Sequence, residues 1–442
     1  MSKKIFTALV LFLCFDLHAD DYKYQRDLKS PSQASIIETF ELPPVDISIL
    51  NPGLVLDPVE ISENKGYKGR SYPGIGSAMI KVPGKKNEFF MLTDRGPNFD
   101  NSNSAGKVYG KIFPLENFAP AIVHVRLENK TINIIRSIPI LDSNGKSVTG
   151  IANGKDDETP YGLDEQKISY RPGGIDTEAL QLLPDGKFLI SEEYGPSILV
   201  VDPNGQVLMR YMPKGKAQLN TPYPVKDNLP EILKNRRSNR GFENLALSPD
   251  GKTAYAVLQS PMGDSKSALY SESRIVRIIR LDCSDPLDIK VTGMFVVLQS
   301  DKSDYPSTSK QADLKYSDAV MLSSSKMLLI ERATKKVKLI IADIENATDI
   351  LNLPIASTLE LEEKSDALSA LKINAAETEV VFNSVDVLFE LDTDKIEGLT
   401  VLSPSTVALS NDNDFALGEN TSNYPSRVWY IRLRKDLPLN VK

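Results

Sequence analysis

One phrase recurs along this chain. It reads GIDTEALQLLPDGKFLISEE from Gly174 to Glu193 and GFENLALSPDGKTAYAVLQ from Gly241 to Gln259, each an acidic residue, an apolar strand, a tight turn, a second strand and a polar ending. Weaker copies run from Gly76 to Arg95, from Tyr316 to Arg332 and from Ile396 to Asp414. A hairpin that recurs five times cannot bury its apolar face alone, so the copies must stack on one another around a shared core.

The rest of the chain supplies partners for these hairpins. Period-two alternation of β-branched, aromatic and long apolar residues marks strands at Ile122–Leu127, Thr131–Pro139, Ser197–Val201, Val207–Met212, Ile275–Leu281, Lys290–Gln299, Val337–Ile341 and Arg427–Leu433. Long amphipathic helices are missing from the pattern. After each hairpin there is room for two more strands, and a four-stranded antiparallel repeat is the blade of a β-propeller. The fold expected is therefore all-β, a propeller of five or six four-stranded blades. The intervals 77–178 and 343–394 are long enough to hold another blade. The last repeat lacks a fourth strand, whereas Ser35–Leu42 is a strand without a hairpin, so the N-terminal strand is expected to complete the last blade and close the ring.

The N-terminus carries Lys3 and Lys4, the apolar run Ile5–Phe15, and a small residue, Ala19, at a plausible cleavage point. This is the pattern of a secretory signal peptide, residues 1–19, followed by one domain over 20–442. The expected location is exported, periplasmic or secreted. No stretch reaches the ~20 apolar residues that a membrane helix needs. Cleavage would remove Cys14 and His18, leaving Cys283 and His124 as the only cysteine and histidine. No internal disulfide could then form, and neither a histidine-rich metal centre nor a Ser-His-Asp triad is available, since His124 sits in an alternating strand. Loss of Lys3, Lys4 and Asp16 takes the formal charge from −7 to about −8. An acidic chain with no basic run is a poor partner for nucleic acid. A monomer is expected.

Aligning the hairpins on their turns puts Ser77, Glu178, Glu243, Asp318 and Glu397 at the start of each inner strand. At the end of each second strand stand Asp94 and Arg95, Glu192 and Glu193, Gln259, Glu331 and Arg332, and the run Asn411–Asp414 with Asp412 and Asp414. In a propeller these ends share one face, and the long connections 96–118, 142–173, 213–240, 260–274 and 300–315 emerge there too. Crowded carboxylates either take up protons or share a hard cation, and an all-oxygen donor set favours Ca²⁺, with Mg²⁺ as the other candidate. The ligands expected are Glu178, Glu193, Glu243, Asp318, Glu397, Asp412 and Asp414; for any single one, a hydrogen bond to backbone amides is an equally good reading. Asp94, Glu192 and Glu331 are expected to position water, Arg95 and Arg332 to clamp the substrate, and Arg171 and Arg240 to bind it. Asn411–Asp414 does not begin an EF-hand, because the glycine that the loop requires at its sixth position is absent.

At these same residues the chain resembles the phytase-like domain family, described as "esterase-like activity of phytase". The resemblance lies in Leu92–Asn98, Gly174–Leu180, Ser191–Gly195, Arg240–Gly251, Leu329–Arg332, Glu397–Leu399 and Asn411–Phe415. It implies an exported propeller that hydrolyses phosphoesters. The chain departs from the pattern at Asp318, where glutamate is expected, and at Gln259, where an acid is expected. Neither an Arg-His-Gly phosphatase signature nor a Walker loop is present, so metal-assisted attack of water is the route expected on a small-molecule ester, phosphorylated in the leading reading. Two alternatives use the same residues: a propeller carboxylesterase or lactonase, and a non-catalytic binding protein stabilised by calcium.

Overall fold

The computed structural model describes residues 34–54, 73–103, 106–216, 220–305, 308–333, 336–363, 367–384, 395–417 and 425–439. The expected signal peptide, residues 1–19, lies outside them. Among the described residues the chain is all-β, with helices confined to short pieces such as Glu360–Glu363 and Ala367–Ala370.

The recurrent hairpin forms as the sequence leads one to expect, and each copy opens an antiparallel sheet. The first sheet runs Ala78–Lys81, Glu88–Leu92, Ala121–Glu128, Thr131–Pro139. The second runs Thr177–Leu182, Phe188–Glu192, Ser197–Val201, Val207–Pro213, with Val225–Leu229 added in parallel at its outer edge. The third runs Phe242–Leu247, Thr253–Leu258, Ile275–Asp282, Lys290–Leu298, and the fourth Lys315–Met321, Lys326–Ala333, Lys336–Asp343, Glu377–Asn383. The fifth runs Ile396–Ser403, Thr406–Asn411, Arg427–Arg432 and then the N-terminal Ser35–Glu41, which pairs antiparallel with Thr39 opposite Trp429. One parallel bridge, Glu41 to Thr131, joins the fifth sheet to the first. The interval 77–178 adds only a small sheet of Phe99–Ser102, Val108–Ile112 and Pro160–Tyr161, so neither long interval contributes a further four-stranded sheet among the described residues.

Alternation along each strand divides its side chains between two cores. In the second sheet, Ala179, Leu189, Ile198 and Val200 join the third and fourth sheets, while Leu180, Phe188, Ile190 and Leu199 pack on Phe90, Leu92 and Ile122 of the first. Leu328 and Ile330 of the fourth meet Leu399, Leu409 and Trp429 of the fifth, and Phe40, Ala408 and Val428 of the fifth meet Met79, Phe89 and Val123 of the first. Every sheet is thus apolar on both faces, and each large side chain so buried stabilises by about 1.5–3 kcal/mol. The five innermost strands pack on one another in order, the fifth returning to the first.

The outer turns of these hairpins are tight. Gly186 and Gly251 adopt φ of 86° and 70°, a region open to glycine, and the neighbouring Asp185 and Asp250 accept hydrogen bonds from the backbone two residues on. The opposite ends of the hairpins are where long connections and charged residues collect.

Candidate functional site

The inner strands carry their acids on a shared backbone device. The ladder skips a residue between Thr177 and Ala179, between Phe242 and Asn244, and between Ile396 and Gly398, leaving Glu178, Glu243 and Glu397 as the extra, bulged residues. A bulge bends the strand and re-aims the side chain it carries. The three carboxylates face a common space: burial first, then Glu243, Asp176, Glu193 and Glu397, push Glu178 well above the usual carboxylate range, and burial, Glu193 and Glu397 do the same to Glu243.

Two groups of three acids form there. Asp176, Glu178 and Glu193 each offer an oxygen within 4.8 Å of the others, all buried. Asp94, Asp412 and Asp414 form the second group on the same criterion. They adjoin, since Asp94 is raised well above its ordinary value by burial, then by Asp412 and Asp176. The groups differ in how they are neutralised. Lys395 donates to Asp412 at 3.5 Å and to Asp414, so the ammonium fills the role of a cation there, and it holds Asp414 below the usual range despite burial. In the first group Arg95 lies 2.9 Å from Asp176 Oδ2, an oxygen with no hydrogen bond, and the Glu178 carboxylate has no hydrogen bond or ion pair among the described residues. Burial raises Asp176 to about 8 and Asp412 to about 7, in each case against the pull of the neighbouring cation.

Asp414 is set by an unusual turn. Asp414, Phe415 and Ala416 have φ of 48°, 53° and 60°, three left-handed residues in succession at a cost of roughly 1–2 kcal/mol each. Phe415, fully buried edge-on to Phe118 with ring centroids 5.2 Å apart, and the Asn413 side chain accepting from Phe415 N at 3.1 Å hold the turn in place.

A band of cations lies beside the acids. Arg332 donates from Nε to Ser317 Oγ at 2.6 Å and from Nη2 to Glu397, and its Nη2 is 3.9 Å from Glu243. Arg240 donates to Ser260 Oγ at 2.9 Å, and burial and Arg332 lower its pKa although Glu243 and Glu193 oppose them. The Lys315 side chain has no hydrogen bond or ion pair among the described residues, and burial, Arg240 and Arg332 lower it to about 7. Arg95 also reaches Glu158 at 2.7 Å.

Four expected site residues do not join these clusters. Glu192 is fully buried and spends its carboxylate on Arg210, Ser197 and Tyr194 N. Glu331 accepts from Tyr305 Oη and Ser300 N, both at 2.8 Å. Both stand one residue before the site position, and successive strand side chains point to opposite faces. Asp318 accepts Ala319 N and Leu399 N, each at 2.8 Å, lacing the fourth inner strand to the fifth. Arg171 is half exposed, 3.9 Å from Glu116. Ser77 and Gln259 are buried at the expected strand ends, with Ser77 Oγ and Gln259 Oε1 lacking partners. Sequence reasoning missed Asp176, Lys315 and Lys395, each just outside an inner strand or at its first residue. The local signal was the Ile-Asp-Thr-Glu order before the second hairpin, which places two acids around one bulge.

The family described as "Phytase-like: Esterase-like activity of phytase" matches residues 74–415. The chain belongs to this family. The phytase-like match begins at the first hairpin and ends within the left-handed turn, so it contains all five hairpins. An "uncharacterized secreted protein" of Arthroderma benhamiae is 25% identical over 224 residues, 42% of this phytase-like chain and 44% of that relative, so the shared stretch spans less than half of the relative's length. Among solved structures, the phytase-like chain is similar to regucalcin, a calcium-binding protein of Agrobacterium tumefaciens, at 11% identity over 84% of this chain and 97% of that one with a TM-score of 0.35. The periplasmic gluconolactonase of Pseudomonas aeruginosa aligns at 9% identity over 83% and 86% with a TM-score of 0.32. Nothing about this chain's chemistry follows from likenesses so distant.

Proposed function

We propose that this phytase-like chain is an exported, monomeric, metal-dependent hydrolase of phosphate esters, built as a five-bladed propeller whose ring the N-terminal strand closes. The observation that carries the reading is the buried group Asp176, Glu178 and Glu193, whose oxygens lie within 4.8 Å of one another with, among the described residues, only Arg95 in ion-pair contact. Three buried carboxylates with one guanidinium beside them are stable only if they hold protons or share a cation. Asp176 Oδ2, buried and without a hydrogen bond, has the free lone pairs that a hard cation would use. Calcium is the cation proposed, bound by Asp176, Glu178 and Glu193. When bound it would lower the pKa of a coordinated water and polarise the ester oxygen.

The chain's own residues supply the rest. Arg332 and Arg240 face the substrate phosphate, Arg332 from a position fixed by Ser317 and Glu397. Lys315, with no partner and a pKa near neutrality, holds the proton at Nζ that a departing alkoxide needs. Asp94, fixed by Gly96 N at 2.7 Å, orients the attacking water. Export accords with the apolar leader and with a relative named as secreted.

The test is hydrolysis of a chromogenic phosphomonoester by purified protein, in chelator and after Ca²⁺ is restored, beside the matching acyl ester. Loss and recovery of phosphoester turnover is expected. Full activity in chelator would remove the metal from the reaction, and turnover of the acyl ester alone would transfer the same residues to carboxylic ester hydrolysis.

A further inference from the structure

Next to the acid cluster, the segments 235–240 and 263–270 border a cavity of about 680 Å³. Its lining carries four cations, Arg236, Arg237, Arg240 and Lys266, against one carboxylate, Asp264. For a chain with a formal charge of −7 this is a local inversion of sign.

Among the described residues, only Arg236 of the four has a carboxylate in ion-pair contact, Asp157. Arg237 is 7% exposed; its Nε donates to Gly263 O at 3.2 Å and its Nη2 to Tyr270 O at 2.7 Å, while its Nη1 is buried without a hydrogen bond. Knitting two loops together accounts for the first two donors and leaves the third unexplained. Arg240 has no carboxylate in ion-pair contact, and Lys266, exposed at the rim, has no side-chain partner among the described residues. Asp264 is the carboxylate that acts on Arg237, without an ion-pair contact, and Arg237 itself is spent on holding the two loops. Arg240 and Lys266 are left to an anion, and planar guanidinium forks match tetrahedral oxyanions.

We propose that this cavity is an oxyanion subsite for a phosphate group, held by Arg240 and Lys266 without any metal. Arg240 is the link to the acids, because it lines the cavity and also feels Glu243 and Glu193. That the phosphate belongs to the substrate rests on the ester-hydrolase reading; the subsite itself does not. A cation-lined cavity beside the carboxylates gives an anionic ester a place for its charge next to the acids that would hold the metal.

The experiment is calorimetric titration of inorganic phosphate into the full-length mature protein in excess chelator, where no metal can hold the anion. Saturable binding is expected, weakened at least tenfold in Arg240→Gln and in the rim charge reversal Lys266→Glu. Lys266 is exposed, so its variant reads the subsite even if Arg240→Gln does not fold. Absence of saturable phosphate binding in the wild type, or wild-type affinity in Lys266→Glu, overturns the proposal. The two readings separate cleanly: phosphate binding without turnover of any ester defeats the hydrolase alone, and turnover without metal-free phosphate binding defeats the subsite alone.

Discussion

Glu192 accepts a hydrogen bond from Arg210 Nη2 at 2.5 Å, and neither side chain is exposed. Arg210 also donates to Ser197 Oγ at 2.7 Å and to the carbonyls of Gly174 and Tyr194 at 3.2 and 3.0 Å, so the pair binds the second strand end to the segment that enters the inner strand. Removing one partner of a buried pair strands the other's charge, at a cost of about 3–5 kcal/mol. Arg210→Ala is therefore expected to lower unfolding free energy by that amount in denaturant titration, whereas Glu178→Gln is expected to leave it nearly unchanged in chelator. Wild-type stability in Arg210→Ala would return Glu192 to the list of available acids.

Metal-free protein should lose stability as the pH rises. Asp176 and Asp412 ionise at about 8 and about 7 in the fold, raised by burial, against 3.8 when unexposed to it. Between those limits the folded state holds protons that the unfolded chain has released, so this contribution is full below about pH 4 and is lost as pH climbs through the folded values. A cation bound by Asp176, Glu178 and Glu193 displaces the Asp176 proton, and its stabilisation must grow over the same window. Melting temperatures in chelator and in Ca²⁺, from about pH 5 to about pH 8, should diverge steadily. A constant gap would show that Asp176 does not titrate with the site.

Glu178 and Glu243 occupy equivalent bulges in consecutive sheets. Replacing Glu178 by Gln keeps its volume and removes a charged ligand, so calcium stabilisation should fall by about 1.5–3 kcal/mol. Glu243 is not in the Asp176 group and lies 3.9 Å from Arg332, so Glu243→Gln should act on substrate affinity more than on calcium. Thermal shift with Ca²⁺ and KM for a phosphoester separate the two variants. Equal loss of the calcium shift in both would mean one cation bridges them.

The sheets were legible because two-residue alternation and repeated turns are local properties. Thr131–Pro139 and Ser197–Val201 form as the alternation predicts, and the unpaired Ser35–Leu42 found the missing edge beside Trp429. The face that gathers acids was legible too. Which acids turn inward was not, because successive residues at a strand end point to opposite faces and the sequence does not say which face is which: Glu193 joins Asp176, while Glu192 turns to Arg210. Asp318 shows the same limit, since its role depends on Leu399 N, 81 residues away. Lys315 and Lys395 were invisible because a lysine at a strand edge reads as a solvated charge until the fold encloses it.

Lys315 offers the most direct test of the chemistry. Burial, Arg240 and Arg332 favour its neutral form and Glu243 opposes them, which leaves the ammonium at about 7. Below that value Nζ carries the proton proposed for the leaving oxygen, and above it the proton is gone. Rates should therefore fall on the alkaline side of about pH 7 while calcium occupancy is still rising. Lys315→Gln should lower kcat by about 10²–10⁴-fold, the range for a positioned general acid, and flatten that alkaline limb. A phosphoester with a good leaving group needs no proton there and should be slowed far less than an alkyl phosphate. If Lys315→Gln slows both esters equally and keeps the alkaline limb, the lysine serves only to balance charge, and the acid must be sought among Glu243 and Asp94.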